Sequence, residues 1–65
     1  MTTITYITLR GTVKTITVEQ RTPCSYIDRK HNRNILCHSE GEFIYAVSFK
    51  DGRMRRLGTA TEVQH

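Results

Sequence analysis

The sequence predicts an all-β protein: a small antiparallel barrel or curled sheet of four to five strands, with room for one short helical turn in its central loop. Three observations lead there. Thr, Ile and Val dominate the first twenty residues, side chains that suit a pleated surface. Apolar residues recur at every second position through Phe43, Tyr45, Val47 and Phe49, the period of a strand with one buried face. Asp51-Gly52 follows at once, a pair whose backbone accepts the positive φ of a tight hairpin.

Each element can be justified in turn. Thr2–Leu9 and Thr12–Gln20 read as two strands, separated by Arg10-Gly11. The first is imperfectly phased, with Ile4 and Tyr6 on one side and Ile7 and Leu9 on the other. In the second, Ile16 and Val18 face inward and Lys14 shares their side near the strand end. Residues 21–34 break the pattern. Thr22-Pro23 suits a cap and first helical position, and Ser25 with Asp28 imitates a capping pair. A third strand follows at Ile35–His38, then a turn at Ser39–Gly41. On the final hairpin the aromatics are expected inside, because Ile44, Ala46 and Ser48 are too small to build a core alone. TATEVQH closes the sequence as a turn plus a short strand or a frayed tail.

Sixty-five residues suffice for one small domain, 1–65. A chain of this size buries only about 60% of its unfolded surface. Its five aromatics include no Trp, so the core is thin. Small scaffolds often add a staple, a metal or a partner subunit. A homo-oligomer formed by pairing of edge strands is one such solution. No apolar run approaches the ~20 residues that span a bilayer, and the N-terminus lacks the basic start and apolar centre of a secretory signal. A cytoplasmic location without membrane contact is the expectation.

Cys24 and Cys37 are too few for a disulfide scaffold. Cys24, His31, Cys37 and His38 offer zinc-binding atoms, but C-x6-H-x5-C-H lacks the paired spacing that preforms half a tetrahedral site. A Cys24–Cys37 disulfide is geometrically open. In a reducing compartment buried or half-buried free thiols are the default. No cofactor or metal is expected. G-x-S-x-G, P-loop and H-E-x-x-H motifs do not occur, nor does a paired-carboxylate arrangement. Asp28 beside His31, with Cys24 or Ser25, would make a rudimentary triad on so short a chain, and no enzymatic activity is expected.

The charge carries the functional expectation. Ten Lys and Arg against six Asp and Glu give +4, and seven of the ten cations are Arg, whose planar fork suits phosphate. Two clusters stand out: Arg29, Lys30 and Arg33 in the central loop, and Lys50, Arg53, Arg55 and Arg56 on the final hairpin. Tyr26, set in a polar and basic stretch, is the expected stacking or interface anchor. The partner is then nucleic acid, or an acidic protein surface resembling it. The bland alternative is a solvated face in which charge guards a strand edge. A different class is the small inhibitor or adaptor that phages and mobile elements encode, docking on a larger host enzyme.

The stretch G-x-x-x-x-x-V-x-F-x-D-G-x-x-x-x-L from Gly41, ending in Glu62-Val63, resembles the last hairpins of SH3-like and Tudor-like barrels. The resemblance covers about a third of the chain. It implies that fold, and binding rather than catalysis.

Overall fold

Six strands, each hydrogen-bonded to its sequence neighbours, wind into a closed antiparallel barrel in the computed structural model, which describes all of Met1–His65. They are β1 (Thr2–Thr8), β2 (Val13–Thr22), β3 (Ser25–Asp28), β4 (Arg33–Cys37), β5 (Phe43–Ser48) and β6 (Met54–Gln64). Pairing of β1 with β6 completes the ring. The small-barrel expectation holds, with one strand more than the sequence suggested and no helix.

The extra strand is β3. Residues 21–34 look polar, yet Tyr26 and Asp28 are both buried on alternate positions, so Ser25–Asp28 pairs as a strand between β2 and β4. Thr22 ends β2 and Pro23 opens the tight turn into β3, so the pair caps no helix. Asn32, at φ 51°, takes the left-handed position in the next turn, which Asn tolerates. The hairpin at Asp51-Gly52 forms as expected. Gly52 has φ 71°, its N–H reaches the Ser48 carbonyl at 2.8 Å, and Asp51 Oδ1 accepts from the Arg53 N–H at 3.0 Å.

The interior holds Ile4, Tyr6, Ile16, Val18, Tyr26, Ile35, Cys37, Ile44, Ala46, Leu57 and Ala60. The β1 phase is thereby settled: Ile4 and Tyr6 point in, Ile7 and Leu9 out. On β5 the expected phase is inverted. Ile44 and Ala46 fill the interior, while Phe43 and Phe49 are each 48% exposed and Tyr45 and Val47 lie half-buried on the outside. The reason is volume. Tyr6 and Tyr26 already occupy the narrow lumen, so the facing β5 positions must be compact.

The last strand bends twice. Leu57 is an extra residue against β5, between the pairs Ile44↔Gly58 and Tyr45↔Arg56. Thr61 is an extra residue against β1, between Tyr6↔Ala60 and Thr5↔Glu62. These bulges let Leu57, Ala60 and Val63, spaced by three, all face the core. Between them Gly58, at φ 155°, passes so close to β1 that a Cβ built on it would lie 1.8 Å from the Ile7 carbonyl oxygen. No side chain fits there.

Gly58→Ala should therefore cost about 3 kcal/mol or more in denaturant unfolding, because β6 must leave β1 to admit the methyl. Gly52→Val, strained only in its turn, should cost about 1 kcal/mol. Wild-type stability of the Gly58 variant would remove this account of closure.

Candidate functional site

Alternating strand direction decides where the charges go. The loops at 9–12, 29–32 and 49–53 share one end of the barrel, and the turns at 23–24 and 38–42 share the other with both termini. Arg10, Lys14, Arg29, Lys30, Arg33, Lys50, Arg53, Arg55 and Arg56 all lie in the first set of loops or within three residues of that end of their strands. Those nine cations, less Asp28, Asp51 and Glu19, leave this end at +6. Arg21, less Glu40, Glu42 and Glu62, leaves the remainder at −2, which completes the +4 of the chain. The two basic clusters of the sequence thus converge. Arg10 and Lys14, which sequence reasoning did not include, join them through the β1–β2 turn. Only barrel closure brings that turn beside β6, so no local signal marks them.

The mouth at this end is built from the inward positions of the strands. Lys14 pairs with Tyr6, Asp28 with Arg33, Arg33 with Ser48 and Arg55 with Ala46, so the apolar lumen is topped by a polar layer. Asp28, 1% exposed, anchors it. Its Oδ2 accepts from Arg33 Nε at 3.0 Å and from His31 Nδ1 at 2.9 Å. A buried carboxylate needs such partners. Arg33, with its side chain 12% exposed, is accordingly committed to Asp28 and is a structural element of the mouth, not the free surface cation expected. Arg29 is engaged by Glu19.

Of the remaining cations, Lys30 lines a separate small hollow with Thr15, Thr17 and His31. Five others border two open recesses, and Lys50 lies outside both. Arg10, Lys14, Arg55 and Arg56 line one of about 650 Å³, beside Tyr6 and Leu57. Arg53 and Arg55 line another of about 400 Å³, with His31, Arg33 and Asp51. Arg55 belongs to both. Asp51 lies 4.0 Å from Arg53, a loose and exposed pair. Arg56 turns to the outer wall, where its guanidinium carbon sits 4.3 Å from the Phe43 ring centroid.

Tyr26 is misplaced as an interface anchor. It is 2% exposed inside the barrel, and its phenol is pushed above the usual range by burial first and then by the charges of Cys37 and Cys24. The exposed aromatics are instead Phe43 and Phe49, with Tyr45 half-buried beside them. A groove of about 360 Å³ runs along this wall, lined mainly by Cys24, Leu36, Phe43 and Tyr45, with Glu42 and His38 at its acidic end. Both cysteines are free thiols. Cys24 is half-buried and Cys37 is buried in the core. Burial, and secondarily Glu40, push the Cys37 thiol above its ordinary range.

Two expectations follow. Asp28→Ala should destabilise the barrel by about 2–3 kcal/mol in chemical denaturation, since it strands the Arg33 guanidinium, while Asp28→Asn, which keeps an acceptor, should cost less. The raised Cys37 pKa means that the folded state holds the thiol proton longer than the unfolded chain. Its contribution is whole below the ordinary thiol value of about 8.5 and is lost as pH climbs past it. Unfolding free energies measured between about pH 8 and 10 should fall for the wild type, and fall less for Cys37→Val.

The chain matches no protein-family model, no curated protein and no solved structure.

Proposed function

We propose that this protein is a small non-enzymatic binding module that engages the phosphate backbone of nucleic acid, or of a nucleic-acid-processing complex, through the basic end of its barrel. The observation that carries the reading is the segregation of nine of the ten cations to one end, with the opposite end acidic. Charge spread for solubility alone has no reason to be one-sided. A +6 end on a body only 27 × 25 × 18 Å in extent orients the molecule toward a polyanion as it approaches. Arg10, Lys14, Lys30, Lys50, Arg53 and Arg55 are the cations left for phosphate. Arg33 and Arg29, tied to Asp28 and Glu19, set the shape and position of the loop between them. The two free thiols suit a reducing cytoplasm.

A second reading, an inhibitor or adaptor docking on a host enzyme, draws on the apolar groove of the outer wall. Salt separates the two. Phosphate binding weakens steeply with ionic strength, whereas an apolar dock does not.

Labelled single- and double-stranded oligonucleotides titrated at two salt concentrations provide the test. The wild type should bind unrelated sequences about equally. Arg53→Ala/Arg55→Ala should weaken binding and flatten the log–log salt slope by roughly one unit per lost contact. Arg21→Ala, at the far end, should change affinity by less than about twofold. Absence of wild-type binding at low salt would sink this reading and favour protein docking.

A further inference from the structure

We infer that the nucleic acid is single-stranded, and that its unpaired bases stack on the outer wall formed by β5 and the adjoining part of β6. This deepens the phosphate-binding reading and rests on it.

The wall has the necessary parts. Phe43 and Tyr45 occupy successive outward positions of β5, and Tyr45 faces Arg56 across the β5–β6 ladder. Arg56 lies over the Phe43 ring, 4.3 Å from its centroid. Aromatic rings and guanidinium planes are the two surfaces on which splayed bases stack. Leu36, half-buried, borders Tyr45 from β4 and makes the floor continuous.

Spacing selects the single strand. Residues two apart on a strand are separated by about 6.8 Å. Bases in a duplex follow one another at about 3.4 Å, with their faces hidden by their neighbours. Only unstacked bases can address Phe43 and Tyr45 separately.

Charge selects the direction. β5 runs from Phe43, beside Glu42 and Glu40, up to Phe49 and Lys50 at the basic mouth. A strand whose bases lie on the wall leads its phosphates away from the acidic turn and toward Arg53 and Arg55. The groove's own lining carries Glu42 and no Lys or Arg, so the cations that favour a polyanion over a neutral protein are Arg56, over Phe43 on the wall, and Arg53 and Arg55 beyond it. An apolar partner would gain nothing from Arg56 in the middle of its contact.

The test compares fluorescein-labelled oligo(dT), oligo(U) and a duplex of equal charge, bound by the wild type, Phe43→Leu/Tyr45→Leu and Phe43→Ala/Tyr45→Ala. The Leu pair keeps apolar bulk and removes the π faces, and circular dichroism checks the fold of each variant. Wild type should prefer both single strands to the duplex by at least about tenfold. The Leu pair should lose about 5-fold or more of single-strand affinity with an unchanged salt slope, because the π faces are removed while apolar bulk and charge stay. Loss in the Ala pair alone would assign the contact to apolar burial and overturn the inference. Equal binding of duplex and single strand, indifferent to both pairs, would overturn it too and leave the phosphate-binding reading standing. No oligonucleotide binding by the wild type would end both, and the wall would then belong to a protein partner.

Discussion

The barrel closes where Gly58 slides past the Ile7 carbonyl, and that one approach governs much of what lies on either side of it. β6 is hydrogen-bonded to β5 along its first half and to β1 along its second, so it must change neighbours in mid-strand. The bulges at Leu57 and Thr61 supply the turn, and a residue without a Cβ lets the two backbones touch. The Leu57 bulge also sets the phase of the arginines. N-terminal to it, Arg55 falls on the inward side at the mouth and Arg56 on the outer wall. A regular strand entering the core at Ala60 would exchange those two faces.

The mouth solves a problem that closure creates. A small barrel must end its apolar lumen somewhere, and side chains pointing inward at the rim meet water. Lys14, Asp28, Arg33, Ser48 and Arg55 take those positions here. Asp28 would be costly so deep without its two donors, and it in turn holds Arg33 and His31 in place. The ion pair is thus better understood as orienting the loop between β3 and β4 than as a source of net stability. Its position beside Arg53 and Arg55 gives the basic end a rigid side.

Much of the fold is legible in the sequence because turn chemistry and β-branched composition are local signals. Asp51-Gly52, Gly11 and the Thr/Ile/Val runs mark turns and strands without reference to anything distant. The errors arise where volume across the lumen decides. Tyr26 sits in a polar, basic stretch and reads as surface, yet its strand neighbours Gln20 and Ile35 carry it inside. With Tyr6 and Tyr26 both in the lumen, β5 must present Ile44 and Ala46 and turn Phe43 and Tyr45 outward. Alternation alone could not choose, since both faces of β5 are apolar. The two basic clusters are legible as clusters, but their convergence and the addition of Arg10 and Lys14 depend on strand direction and closure.

The inversion of β5 joins the fold to its surface chemistry. Phe43, 48% exposed, forgoes about half of the roughly 1.5–3 kcal/mol that full burial of such a side chain contributes, still appreciable for a core this thin. Thr or Lys at position 43 would serve an inert outer wall as well, as Thr3, Thr5, Thr15 and Thr17 do on β1 and β2. The outward apolar residues of β1 and β2, Ile7 and Val13, are aliphatic, whereas the outward aromatic side chains are gathered on β5, beside Leu36 of β4 and with Arg56 over Phe43. The threonine wall is a plain barrel exterior, with Thr5 and Thr15 bonded to each other at 3.2 Å. The aromatic wall begins at the acidic turn and ends at the cationic mouth. A face that is both apolar and graded in charge along its length suits an extended ligand with flat groups on one side and negative charge on the other.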